Sequence, residues 1–167
     1  MKTGRTGAAA KAGHNLLIHV TSWSATIVVA PDPADSTAEL DADAASLRVR
    51  EGHGGMQALG EDDKVSIVKS IDEDVLGRQQ ITFRSTSARA TADGRGLHLE
   101  GDLTLVGKTR PVAFAVEVDD NDRLVGGCVL KQSDWGIKPY STLFGALKVV
   151  DEVEVAIEAV LPAPQSV

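Results

Sequence analysis

From Leu97 to Val118 the chain reads LHLEGDLTLVGKTRPVAFAVEV. Leu97, Leu99, Gly101, Leu103 and Leu105 fall on one parity, and His98, Glu100, Asp102 and Thr104 on the other. Successive side chains of a strand point to opposite sides of the sheet, so a period of two marks a strand with one face buried and one wet. The break VGKTRP carries a glycine, after which Val112, Phe114, Val116 and Val118 resume the alternation. Pro111 opens that second run, where a missing N–H does least harm to a ladder. The segment predicts a long antiparallel hairpin that is apolar on one side, and this commits the chain to an all-β class.

The rest of the chain supplies more strands. Residues 16–20 and 23–30 read as one bent strand or two, followed by a loop with two prolines at 31–36. Two further strands are expected at 37–43 and 45–51, and five more at 80–87, 97–106, 111–118, 124–132 and 152–161. Asp93-Gly94 and the run Asp119 to Asp122 read as turns. One helix is expected over 61–76. Glu61, Asp62 and Asp63 suit the positive end of its dipole, and Gly77 suits its stop. Val68, Ile71 and Val75 form its apolar stripe, flanked by Val65 and Ile67, and that stripe is expected to sit on the outside of the sheet. Residues 1–13 are small and polar and are expected to fray, leaving a single domain over 14–162. About eight antiparallel strands is the number that closes a barrel just wide enough for a small ligand.

Composition removes several function classes. The chain has 167 residues, 25% of them charged and 43% hydrophobic, which suits one globular domain with a proper core. Its net charge of −7 argues against nucleic acid or an anionic membrane surface as partner. Lys2 and Arg5 come early, but no apolar run of ~7–15 residues follows them, and no stretch approaches ~18 apolar residues. These patterns predict a cytoplasmic protein without a transmembrane segment.

Chemistry-bearing motifs are few. Cys128 stands alone beside Val129 and Leu130 and reads as a small buried hydrophobe. His14, His19, His53 and His98 have no metal-ligand spacing, so no metal site is assigned. The acidic run from Asp119 lacks the glycine and glutamate of a calcium loop, since Leu124 and Leu130 stand at those places. Gly52 to Gly55, GHGG, has neither the lysine nor the immediate helix of a phosphate cradle and reads as a plain loop. There is no GxSxG elbow and no recognisable Cys–His arrangement, so no catalytic residue and no cofactor is assigned. Glu152, Glu154 and Glu158 take the outward parity of their strand.

What remains is the inward parity. Phe83, Leu99, Leu103, Val112, Phe114, Val116, Val155 and Ile157 are the expected lumen residues, with Ile81 and Val153 on the same face. Most are medium aliphatics. Such a lining can leave a tube for an apolar chain, or it can close as an ordinary core, and the residues alone leave both open. Trp135, Tyr140 and Phe144 gather in DWGIKPYSTLFG, an irregular segment that can serve as mouth or lid, or as a plug. Lys138 and Tyr140 are its polar handles.

Three stretches resemble the YceI family. They are the hairpin motif LTLVGKTRPV from Leu103 to Val112, the turn DWGI from Asp134 to Ile137, and the strand VVDEVEVAI ending at Ile157. The resemblance is firm over about 81–161 and thin before residue 40. It implies a lipocalin-like, extended antiparallel β-barrel with a long polyisoprenoid lipid in its lumen. The function it implies is non-catalytic binding, as a carrier or store, of a polyisoprenoid or prenyl quinone. A homodimer is also consistent with the family. Two other readings are a ligand-free interaction or stress-response module, and an enzyme acting on a small isoprenoid-like substrate. The second needs a titratable cluster in the lumen, which the inward parity lacks.

Overall fold

The hairpin that dominates the sequence is the tightest part of the fold. In the computed structural model, which describes residues 1–160, strand β7 (Gly96–Leu105) and strand β8 (Lys108–Val118) pair over their whole length, from Gly96↔Glu117 to Leu105↔Lys108. The turn between them is two residues, Val106 and Gly107, both at positive φ (45° and 70°). That is the backbone a two-residue hairpin needs if its twist is to match the strands. Pro111 lies three residues inside β8 rather than at its start, opposite Asp102. It is tolerated because β8 has a partner on its other side only from Ala115 onwards.

Around this hairpin the chain lays down β1 (Lys2–Thr6), β2 (Asn15–Val20), β3 (Trp23–Val28), β4 (Thr37–Ala42), β5 (Leu47–His53), β6 (Ile81–Ala90), β9 (Arg123–Lys131), β10 (Ser141–Thr142) and β11 (Leu147–Val160). All pairings are antiparallel, in the order β3-β4-β6-β7-β8-β9-β11-β1-β2-β5, with β10 alongside the start of β11. The two ends of that order are joined covalently. β2 runs into β3, and β4 into β5, through bends at the same level, so one long bent hairpin contributes its first half to one edge of the sheet and its second half to the other. Ser46 secures the corner. Its carbonyl accepts from Thr21 N and Oγ1, and its Oγ accepts from Ser22 N at 3.0 Å. The sheet therefore curls into an all-β, lipocalin-like half-barrel. With each bent strand counted once, its long strands number eight.

Two expectations need correction. Lys2–Thr6 does not fray. It is strand β1, held between β2 and β11 (Lys2↔Leu17, Lys2↔Glu154), which places it inside the sheet rather than at a loose end. The helix also differs. α1 spans Glu61–Ser70 and widens at Ile71–Val75 into a π turn, closed where Leu76 N donates to the Ile71 carbonyl at 2.9 Å. It is not on the outside of the sheet. It connects β5 at one edge to β6 near the other and so crosses the unpaired side, where Ile67, Val68 and Ile71 pack on Ile18, Leu47 and Val49. An apolar stripe turns toward the largest apolar surface available, and here that surface is the inside of a half-open sheet. Val65 is left 70% exposed. The last strand runs from Leu147, five residues earlier than expected. Its expected last residue, Leu161, and the domain end at 162 lie outside the described residues.

Besides the cluster under α1, a second core closes one end of the barrel. Ala88, Leu97, Leu99, Val116 and Leu124 are buried where β6, β7, β8 and β9 meet near their turns. Among the described residues no helix is long and apolar enough to cross a membrane.

Candidate functional site

At the opposite end the walls separate. The β8–β9 ladder stops at Ala115↔Gly127, so Lys108–Phe114 and Cys128–Lys131 diverge. Gly126 and Gly127 stand at that branching point. A β-carbon on Gly126 would press the Ala115 carbonyl at 2.7 Å, so only glycine allows the strands to approach there. The wedge between them is filled from the short turn Gln132–Trp135. Trp135 is 2% exposed, its indole N–H donates to the Leu103 carbonyl at 3.0 Å, and Arg110 Nε donates to the Asp134 carbonyl at 3.0 Å.

The separation opens a cavity of about 1190 Å³, above the ~300–1,000 Å³ of ordinary small-molecule pockets. Its wall is mostly aliphatic and aromatic. Phe83, Leu103, Val112, Phe114, Val155 and Ile157 line it, six of the eight residues expected in a lumen. Phe83 and Phe114 meet in a tilted pair with centroids 5.1 Å apart. Phe83 reaches that position because Gly101 has no side chain. A β-carbon there would stand 2.6 Å from Phe83 Cε2. Leu99 (1% exposed) and Val116 (5%) are on the same parity but belong to the closed end, where opposing side chains meet, and they do not line the cavity.

The aromatic segment divides in the same way. Trp135 and Tyr140 line the cavity, Trp135 as part of the wall and Tyr140 half exposed. Lys138 does not line it and is exposed. Phe144 points away entirely, fully exposed at φ 53° beside Leu143 at φ 52°.

Several lining residues were not foreseen. α1 and its π turn present Ile67, Ile71, Val75 and Leu76 to the cavity, and β2 presents Leu16 and Ile18. Cys128 lines it too, opposite Val155 in the β9–β11 ladder, and burial pushes its thiol above the usual range. Its inward parity was readable, but the glycines before it break the alternation that would have drawn attention to it. Arg5 and His14 lie at the open end and carried no motif at all.

The acidic hairpin tip has a local role. The Asp119 carboxylate accepts from Asn121 N (2.8 Å) and Arg123 N (3.0 Å), and these backbone hydrogen bonds hold it below the ordinary carboxylate range. Asp151 is lowered in the same way by Ser133, whose N and Oγ donate to it at 2.8 and 2.5 Å, and this ties β11 to the turn that carries Trp135.

Solved structures share this architecture. Burkholderia cenocepacia BcnA superposes with a TM-score of 0.62 at 21% identity, over 94% of this chain and 93% of that one. The Campylobacter jejuni YceI protein gives 0.62 at 14% identity, over 87% and 83%, and one of its mutants was crystallised with a monobromobimane guest. At these identities the likeness is one of fold. No curated protein matches the sequence. The model of the YceI-like domain, however, matches residues 5–161, nearly the whole chain, and on that match this protein belongs to the YceI-like family.

Proposed function

We propose that the protein binds a long-chain amphiphile, a polyisoprenoid or prenyl quinone, with its tail in the cavity between the barrel wall and α1, and that it acts as a carrier or store rather than as an enzyme. The observation that carries this reading is the cavity itself, 1190 Å³ in volume and walled by Phe83, Leu103, Val112, Phe114, Val155 and Ile157. Each methylene moved from water into such a wall contributes about 0.8 kcal/mol, so a long tail can bind tightly through area alone. The same arithmetic makes the wall a poor judge of tail length, since one methylene more or less changes affinity by only about 0.8 kcal/mol, roughly fourfold.

The non-catalytic part of the reading is supported by the side chains on offer. A nucleophile needs a base within hydrogen-bond reach. Cys128 has burial raising its thiol pKa and no base hydrogen-bonded to it among the described residues. The test is native purification followed by denaturing extraction and mass spectrometry. A stoichiometric lipid with a prenyl or other long apolar tail is the expected result. An empty protein that also fails to take up prenyl quinones in titration refutes the proposal.

A further inference from the structure

At its open end the cavity takes a guanidinium and an imidazole into its lining. Arg5, the last residue but one of β1, and His14, just before β2, both line it. Both are half-buried and covered by the turn that follows β5. Arg5 Nη1 donates to the Gly13 carbonyl and, at 3.2 Å, to the His53 carbonyl. His14 Nε2 lies 2.9 Å from the Gln57 carbonyl, and since a carbonyl only accepts, Nε2 carries the hydrogen and Nδ1 is left over. Gly54 lies against the guanidinium and Gly55 against the imidazole, at φ 81° and 80°, so closely that a β-carbon on either would overlap the ring or fork beneath it. The GHGG segment is thus a cover moulded to a guanidinium and an imidazole.

The charge on Arg5 is unanswered. Both of its fixed partners are neutral carbonyls, and among the described residues no carboxylate stands within ion-pair distance of it. The carboxylates that line the cavity have other partners: Glu154 pairs with Lys2 at 3.2 Å, Glu158 with Arg123 at 2.7 Å, and Asp63 Oδ2 accepts from Gly60 N at 3.0 Å. With Nη1 engaged by carbonyls, Nη2 and Nε remain as donors. A guanidinium edge pinned beside an apolar cavity is the geometry that takes an oxyanion in two parallel hydrogen bonds.

We infer that Arg5 and His14, under the His53–Gly55 cover, form a headgroup subsite for an oxyanion, so that the preferred guest is an anionic amphiphile: a phosphate ester or a carboxylate on a long apolar tail. The inference rests on the tail-binding reading above. Arg5 neutralises the headgroup through Nη2 and Nε, the His14 ring, held by the Gln57 carbonyl, borders the head, and the tail runs inward past Leu16 toward Phe114.

The test compares guests with the same tail and different heads, by calorimetric titration into the full-length chain. Geranylgeranyl monophosphate is set against geranylgeraniol, and palmitate against hexadecanol. In the unmodified protein at least one anion is expected to bind about tenfold or more tighter than its alcohol, as charge-assisted hydrogen bonds give. A gap in both pairs marks a general oxyanion subsite, and a gap in one pair names the head. Arg5→Gln closes the gap and leaves the alcohol within about twofold; Arg5→Lys, which keeps the charge and loses the fork, retains part of it. Should Arg5→Gln fail to fold, salt serves instead. The gap in the unmodified protein shrinks as NaCl rises from ~0.05 to ~0.5 M. Equal binding of anion and alcohol, or a gap untouched by both Arg5→Gln and salt, overturns the subsite while the tail site stands. Failure of all four guests to bind overturns the tail site and the subsite together.

Discussion

Replacing Phe114 by arginine tests the face assignment on which the tail site depends. Phe114 lies on β8 where the strand has left β9; it lines the cavity and pairs with Phe83 at 5.1 Å. A guanidinium there, with its hydration, takes the space of roughly three methylenes of tail. At about 0.8 kcal/mol each that is a loss of about 2.4 kcal/mol, or about fiftyfold in affinity. The control is Glu100→Arg. Glu100 is on the opposite face of β7 and makes only an exposed pair with Arg89 at 2.9 Å, worth about 0.2–1 kcal/mol of stability, with no part in the wall. Phe114→Arg raises the net charge by one and Glu100→Arg raises it by two in the same region of sheet, so any long-range electrostatic effect falls more heavily on the control. Titration of a prenyl quinone into each variant, with far-UV circular dichroism to confirm the sheet, reads the difference directly. Loss of affinity in Glu100→Arg as large as in Phe114→Arg would mean that Phe114 does not face the bound tail.

Gly101→Val drives a side chain into the Arg84 carbonyl and the Phe83 ring and is expected to cost at least about 3 kcal/mol in urea unfolding, whereas Gly94→Ala, with nothing within 4 Å and φ +70°, costs only about 1–2 kcal/mol. Trp135→Phe leaves the Leu103 carbonyl without its 3.0 Å donor and is expected to lower stability by about 1–3 kcal/mol, again read by urea unfolding. The Asp151 carboxylate has a folded pKa below its unfolded one, so its contribution is present above the usual carboxylate range and is lost as pH falls through the folded value. The stability difference between the unmodified protein and Asp151→Ala is therefore expected at pH 7 and should vanish in strong acid, as thermal melts across pH will read. Cys128, with its thiol raised by burial, is expected to react slowly with iodoacetamide at neutral pH and more slowly still when the cavity is filled; labelling at an unhindered rate, indifferent to added lipid, contradicts its place on the wall.

Which residues face inward was legible wherever the alternation ran unbroken, as from Leu97 to Leu105 and from Val112 to Val116. A period of two fixes the face but not the height along the barrel, and height separates Leu99, sealed in the closed end, from Leu103 and Phe114, which look into the cavity. Height is set by where the β8–β9 ladder ends, and that depends on Gly126, Gly127 and the wedge of Trp135, whose effect is tertiary. The fate of residues 1–13 was hidden for a related reason. KTGRT has no hydrophobic pattern of its own and becomes a strand because β11 and β2 offer it two ladders at once. The π turn at Ile71–Val75 likewise leaves no mark in a stripe spaced by threes and fours, and the side of the sheet the helix would cover depended on the curl.

The distribution of polar groups along the cavity bears on how such a protein could choose its guest. The wall built from Phe83, Leu103, Val112, Phe114, Val155 and Ile157 is apolar, so it rewards any tail in proportion to its length and distinguishes tails weakly. Arg5 and His14 sit where β1 ends and β2 begins, each tied to the backbone of the turn after β5, and a head that cannot accept from them leaves a charged donor unanswered near low-dielectric surroundings. A missing hydrogen-bond partner is penalised far more steeply than a missing methylene. On the proposed reading, tight binding and selective binding fall to different ends of one cavity, and mutations at Phe114 and Arg5 should separate them: the first weakening all guests alike, the second erasing the preference among heads while the tail still binds.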